Sequence, residues 1–285
     1  MKPLTVQALE KIGKDWSVAS LTREAHLQNT KDFASFVADK FSMESIANLK
    51  PGHVTAYVKQ LVSDGISNGT ICNRLAAVRE LAAAVGKANI VARDNKAYGV
   101  ARGSRQKPVI QNSAEVNRIR VELVERANAG DRIAIMAHAA AEMRDAFGLR
   151  AKESLMSFKL VDSSKGAVLR IEAVKVEGTK GGRERNLPIQ NEAQLRAIQQ
   201  VDLASKALGS GTGRCMPPEM SLKEAYNAQR TLWRSLGGTK AAAANMHSSR
   251  HKVAQEMYAK GISKGEIMER LGHGSERSPF CYIPK

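Results

Sequence analysis

Apolar residues recur at helical spacing along most of the chain, and the places where that period fails mark its organisation. Over 21–36 the apolar and aromatic positions include Leu27, Phe33 and Phe36; Ile46 then precedes a second run in which Val54, Tyr57, Val58, Leu61 and Val62 repeat. A third run opens at Asn68-Gly69-Thr70, carries Ile71, Leu75, Val78, Leu81 and Ala82, and reaches Gly86, where a left-handed stop is expected. These runs predict helices packed on one another, with Lys59, Arg74, Arg79 and Lys87 outside the packed faces. From 93 to 112 the period is lost in a polar, basic stretch that reads as an exposed interdomain linker.

Helical periodicity returns over 113–127 and 131–147, with Asp131 as N-cap and Gly148 as stop. The character then changes. The segments 167–171 and 174–176 are β-rich, Thr179-Lys180-Gly181-Gly182 can turn, and Asn186-Leu187-Pro188-Ile189 returns, which predicts a small antiparallel sheet with Lys180 at its tip. Ser221-x-x-Glu224 and Ser263-x-x-Glu266 are capping-box patterns that start two further helices, the second ending at Gly272. His273 therefore sits just past a helix C-terminus, where the protonated form is expected. Between the sheet and these helices, Gly209 to Gly213 reads as a flexible loop whose glycines lack the spacing of a nucleotide-binding turn. Tyr226, Trp233 and Tyr258 are expected in the core, and Cys281 is expected to be a small buried neighbour of Tyr282. The fold class is mainly α with a small antiparallel β-sheet (α+β), divided into a helical domain over 1–92, the linker over 93–112 and a second domain over 113–285.

Charge narrows the partner. Lys and Arg total 44 against 28 acidic residues, giving a formal charge of +16, so a polyanion is expected to bind with strong salt dependence. Nucleic acid is the economical choice. The start Met1-Lys2-Pro3-Leu4-Thr5 has no apolar signal-peptide run and no stretch is apolar enough to span a membrane, which leads to the expectation of a cytoplasmic protein with no membrane partner. Cys72, Cys215 and Cys281 are odd in number and dispersed, so neither disulfides nor a metal site is favoured.

The chemistry lies near the end of the chain. His247 and Arg250, three residues apart, share a helix face, so one can handle a proton while the other grips a phosphate oxygen. His273 offers another donor, and Tyr282, nine residues later (282 − 273), offers a nucleophile. Each residue alone is more simply explained otherwise: Arg150 and Glu153 as a surface ion pair, Lys180 as a loop lysine, His247 as a helix-start polar residue, Tyr282 as packing beside Phe280 and Ile283. Their order argues for a joint role.

That order resembles the tyrosine recombinases, the phage integrase family. Ala146-Phe147-Gly148-Leu149-Arg150-Ala151-Lys152-Glu153-Ser154-Leu155 is similar to the family's first arginine box, although Ala151-Lys152 stand where a small apolar residue usually precedes the acid. The stretch from Gly178 to Ile189 resembles the hairpin that carries the catalytic lysine, here Lys180, and His247-x-x-Arg250, Leu271-Gly272-His273 and Tyr282 match the remaining boxes. The resemblance implies that 1–92 is a core-binding (SAM-like) DNA-binding domain and 113–285 the catalytic domain. It further implies that Tyr282 attacks a DNA phosphodiester, Arg150 and Arg250 hold its non-bridging oxygens, and Lys180 protonates the leaving 5′ oxygen. His247 would accept the tyrosine proton and His273 would donate to a phosphate oxygen, with Glu153 orienting Arg150 or His247.

No cofactor is expected, because a phosphotyrosyl bond keeps the energy of the broken one. Arg74, Arg79, Arg102, Arg105 and Lys107 are candidate DNA contacts, and Arg183 and Arg185 are either backbone contacts or solvated charges. The implied partners are double-stranded DNA with inverted-repeat core sites, further copies of the chain as a tetramer on DNA, and accessory DNA-bending proteins. Integration or excision of a mobile element is the implied role. A non-cleaving DNA-binding accessory protein and a topoisomerase-like relaxing enzyme are the alternatives. Family members often continue into a terminal helix that docks on a neighbouring subunit; three residues follow Tyr282 here, so either the form is short or subunits are expected to associate through other surfaces.

Overall fold

The computed structural model describes residues 2–13, 20–103, 108–156, 158–163, 166–171, 185–211, 213–273 and 282. The chain divides into two compact units, Met1–Ser104 and Arg105–Lys285. Within the described residues the architecture is helical, with one three-stranded antiparallel sheet.

In the first unit, α1 (Leu4–Ile12), α2 (Ser20–Phe41), α3 (Pro51–Ser63) and α4 (Asn68–Ala84) surround a core of Phe33, Val37, Val54, Tyr57, Leu75, Val78 and Leu81. Local chemistry sets the ends: Pro51 opens α3, the Ser67 hydroxyl accepts from Thr70 N to open α4, and Gly86 follows α4 with a φ of 74°. Val62 is 55% exposed, because the buried stripe of α3 runs through Val54, Val58 and Leu61 and turns Val62 out of phase.

The stretch beginning at Arg93 is not uniformly exposed. Residues Asn95–Tyr98 form a 3-10 turn, and Val91 and Val100 are buried in the core of the first unit. Arg79 holds this stretch, with Nε and Nη2 donating to Ala92 O at 2.9 and 2.8 Å and Nη2 also donating to Asn95 Oδ1. Its Nε and Nη2 donors are therefore committed inside the unit. Arg74 is likewise engaged, with Tyr57 Oη at 3.3 Å and Asp32 at 3.7 Å, while Arg102, exposed, donates to Asn73 Oδ1.

The second unit is organised around α6 (Arg132–Phe147), which packs against α5 (Ser113–Asn128), α7 (Glu192–Leu208), α8 (Leu222–Ser235) and α9 (Ser248–Ala259). A helix touched on so many sides must be apolar around most of its girth, and small residues let its neighbours approach. Ala134, Ala137, Ala139, Ala140 and Ala141 meet that need. Helix α10 (Lys264–Leu271) packs on α9. The sheet order is β1 (Phe158–Ser163), β2 (Gly166–Ile171), β3 (Arg185–Pro188), with Leu169 opposite Leu160 on one side and Leu187 on the other. The expected strand over 174–176 and the turn carrying Lys180 lie outside the described residues.

Several expectations need correction. The Gly209–Gly213 stretch is anchored at both ends: Gly209 caps α7 in the left-handed region, and Gly213 O accepts from Phe158 N at 2.9 Å. A Cβ at Gly213 would lie 2.2 Å from Phe158 O, so this glycine is required by close approach to β1. Tyr258 is 38% exposed, with Lys264 Nζ 5.9 Å from its ring centre, and is not core. Trp233 is buried and donates to Ala244 O at 2.8 Å, while Tyr226 is half-buried. Ser221 and Glu224 form the full capping box; Ser263 caps α10 through Glu266 N, but the Glu266 carboxylate turns to Arg270 at 2.6 Å.

Gly148 shows how tightly the elements meet. Its φ of 65° ends α6, and a Cβ there would stand 2.9 Å from Leu271 Cδ2 and 3.2 Å from Val253 Cγ1. Gly148→Ala is expected to lower unfolding free energy by about 1–3 kcal/mol through left-handed strain and overpacking. A denaturant midpoint equal to wild type would show that α6, α9 and α10 do not meet there.

Candidate active site

Four elements bring the candidate residues together. After Gly148 the chain turns through Arg150 into the short 3-10 helix Glu153–Leu155, which buries Glu153 completely. Glu153 Oε2 accepts from Arg150 N at 2.8 Å and from Arg185 Nη2 at 2.6 Å, and Oε1 accepts from Arg150 Nη1 at 2.5 Å. Burial pushes this carboxyl up, but Arg185 and Arg150 outweigh it and hold the group below the ordinary carboxylate range. Glu153 thus orients Arg150.

Arg185 is not a solvated charge. It is buried, gripping Glu153 and donating through Nη1 to Leu271 O, and so ties β3 to the end of α10. Polarity alone put it outside, because a charge in a turn-rich sequence gives no sign of a buried partner arriving from Glu153.

Arg250 comes from the first turn of α9 and is fully buried. Nη1 donates to Gly148 O at 2.8 Å, and Nη2 donates to Leu271 O and to His273 Nε2, the latter at 2.9 Å. Burial, then the neighbouring Arg150, lowers its pKa to about 10, so the guanidinium stays charged at neutral pH. Arg150 Nη2 reaches Gly272 O at 3.1 Å. Two guanidiniums, those of Arg150 and Arg185, therefore share one carboxylate, and carbonyls at the ends of α6 and α10 accept from all three arginines, with His273 accepting a further bond from Arg250. The cluster carries surplus positive charge, which suits an anion.

Tyr282 is buried over this cluster. Its hydroxyl lies 3.2 Å from His247 Nε2, its ring stacks on His273 at 5.1 Å and 24°, and the Arg250 guanidinium carbon is 5.8 Å from its ring centre. His273 differs from expectation. Burial, then Arg250, Arg150, Arg185 and His247, pulls its pKa down to about 3, and an arginine can only donate, so Nε2 must accept. The helix-end position that favours a cation is overridden by burial and by cations already there.

The described structure thus gathers Arg150, Glu153, His247, Arg250, His273 and Tyr282 and adds Arg185. Lys180, Arg183, Arg105, Lys107 and Cys281 lie outside the described residues. Sequence reasoning missed other members. Buried Arg144 on α6 donates to Ser154 Oγ at 3.3 Å and Gln229 Oε1 at 2.9 Å, while Gln229 Nε2 donates to Ala151 O at 2.9 Å, so the loop after Arg150 rests on an internal polar network. His251 packs its ring 4.5 Å from that of Tyr282. The four-residue step from His247 was the available signal.

Comparison with known proteins bears on the fold and the family. No curated protein matches the sequence. The chain is similar in fold to XerH site-specific recombinase bound to difH substrate (14% identity, 92% of this chain and 75% of that one, TM-score 0.62). It is also similar to the Tn1549 transposon integrase in complex with circular intermediate DNA (15%, 100% and 96%, TM-score 0.60) and to a lambda integrase tetramer bound to a Holliday junction (16%, 94% and 72%, TM-score 0.62). Residues 1–91 match the family described as phage integrase, N-terminal, and residues 101–256, more than half of the chain, match the family described as integrase. With both stretches matched in order, the chain belongs to the phage integrase family of tyrosine recombinases.

Proposed function

We propose that this recombinase cuts and rejoins DNA through a 3′-phosphotyrosyl bond to Tyr282, serving integration or excision of a mobile element. The observation that carries the reading is the Tyr282 hydroxyl, 3.2 Å from His247 Nε2 and seated over the buried Arg250. His247 accepts the phenol proton as the tyrosine oxygen bonds to phosphorus and the bond to the 5′ oxygen breaks; Lys180 gives the departing oxygen its proton. Arg150 and Arg250 neutralise the developing charge with no cofactor. When a phosphate enters, Arg250 Nη2 exchanges His273 for a phosphate oxygen, and the anion favours protonation of the released imidazole, which can then donate.

The partner is double-stranded DNA with inverted-repeat core sites, engaged by several copies of the chain, a tetramer being the arrangement the lambda integrase complex supports by analogy. Accessory DNA-bending proteins and a cytoplasmic location complete the reading; among the described residues no helix is long and apolar enough to cross a membrane. The direct test is a nicked duplex made from DNA flanking the gene, on which a covalent adduct is expected on a denaturing gel. No adduct with any flanking duplex would favour a non-cleaving DNA-binding protein, and adduct without partner exchange would favour a relaxing enzyme.

Lys180 has its own test. Lys180→Ala is expected to slow cleavage of a 5′-oxygen substrate and to be largely rescued by a 5′-thiol leaving group, which departs without a proton. Equal slowing of both substrates would leave Lys180 as a phosphate-neutralising charge only.

A further inference from the structure

Helix α9 presents His247, His251 and Gln255 at steps of four residues, which align them on one ridge. Each touches a different part of Tyr282. His247 Nε2 is 3.2 Å from the hydroxyl, His251 is 4.5 Å from the ring, and Gln255 Nε2 donates to the main-chain carbonyl at 3.0 Å. The same Gln255 nitrogen donates to Val109 O at 2.9 Å. A carboxamide nitrogen has two hydrogens, so its donor capacity is used by these two carbonyls.

The Val109 end is also fixed. Gln111 Nε2 donates to Ser248 Oγ and Ser249 Oγ at 3.1 Å each, and Asn112 N donates to Ala243 O at 3.1 Å, so the segment entering the second unit runs beside the start of α9. Gln255 joins that segment to the residue bearing the reactive hydroxyl.

We propose that Gln255 is a positioning residue for strand cleavage, holding the main chain of Tyr282 against Val109 and the α9 ridge so that the hydroxyl stays beside His247. The proposal rests on the reading of Tyr282 as nucleophile. His247 meets the hydroxyl and, at 5.8 Å between ring centres, the edge of a side chain that rotates about two bonds, and ring contacts such as these and that of His251 tolerate sliding. A hydrogen bond to the main chain restricts where those rotations begin. Such restriction acts on the chemical step, where a displacement of about 1 Å costs roughly a hundredfold. The carboxamide itself touches neither phosphate-binding arginine, so DNA affinity is unaffected.

Gln255→Met keeps the side chain's length and removes both donors. With the nicked flanking duplex, the single-turnover rate of adduct formation is expected to fall roughly tenfold, as loss of about one hydrogen bond's worth of orientation implies, with DNA affinity unchanged and the melting temperature lowered by only about 2–4 °C. A second measurement is independent of cleavage: with 3-fluorotyrosine replacing tyrosine, the resonance assigned to Tyr282 is expected to shift or broaden in Gln255→Met. An unchanged rate, an unchanged resonance, or rate and affinity falling together with a larger drop in melting temperature would each overturn the positioning role. Wild-type protein that forms no adduct would overturn the nucleophile and, with it, this role in cleavage, while the resonance would still report whether the contact exists.

Discussion

Tyr282→Phe yields a protein that binds DNA as tightly as wild type and forms no SDS-resistant adduct. The loss is complete because the substitution removes the only atom proposed to bond to phosphorus. Binding survives because the rest of the residue's environment does: the stacking on His273 at 5.1 Å, the approach to His251 at 4.5 Å and the Gln255 bond to the main chain involve ring and backbone. What disappears are the contacts of the hydroxyl itself, to His247 at 3.2 Å and to Arg250. Electrophoretic mobility shift and a denaturing gel, run on the same samples, separate the two properties. Persistent adduct in the variant would move the nucleophile to another residue.

Arg250→Lys is expected to slow cleavage roughly a hundredfold or more, although the positive charge is retained. Arg250 uses a planar fork: Nη1 on Gly148 O at 2.8 Å and Nη2 on Leu271 O and His273, with the same plane set below the Tyr282 ring. An ammonium carries all its donors on one nitrogen and cannot span the two separated nitrogens of the fork, and it is more costly to strip of water in a fully buried place. Arg250→Ala should cleave no better than Arg250→Lys. Single-turnover rates on the nicked duplex decide the matter, with circular dichroism melts to show that the variants fold. Wild-type rates in Arg250→Lys would mean that charge alone suffices and that the fork serves the fold.

Much of this arrangement was legible because helix ends carry local chemistry. Asp131, Ser221, Gly148 and Gly272 each act through atoms a few residues away and do in the structure what their pattern suggested, while Ser263 starts its helix without the reciprocal Glu266 bond. What the sequence concealed depends on distant partners. Helix α7 hides because the positions it buries, Ala197, Val201, Ala204, Ser205 and Leu208, are mostly small and give a faint stripe. Strand β1 hides because Val161 follows Leu160 directly and breaks the alternation that Phe158, Lys159 and Leu160 begin. Arg185 and His273 were misplaced for one reason: their state is set by Glu153, Arg150 and Arg250, which lie far off in sequence. Motif order located the site, while its charge balance required the fold.

The α9 ridge has a consequence for how this enzyme can vary. A helix advances about 100° per residue, so inserting or deleting one residue between His251 and Gln255 would rotate the glutamine off the face that carries His247. Every side chain named in the site would still be present in the gene, yet hydroxyl and main chain would no longer be held by the same surface. Homologous chains are therefore free to exchange residue types at 251 and 255 more readily than to change the length of the segment between them, and indels should gather instead in the connection before α9.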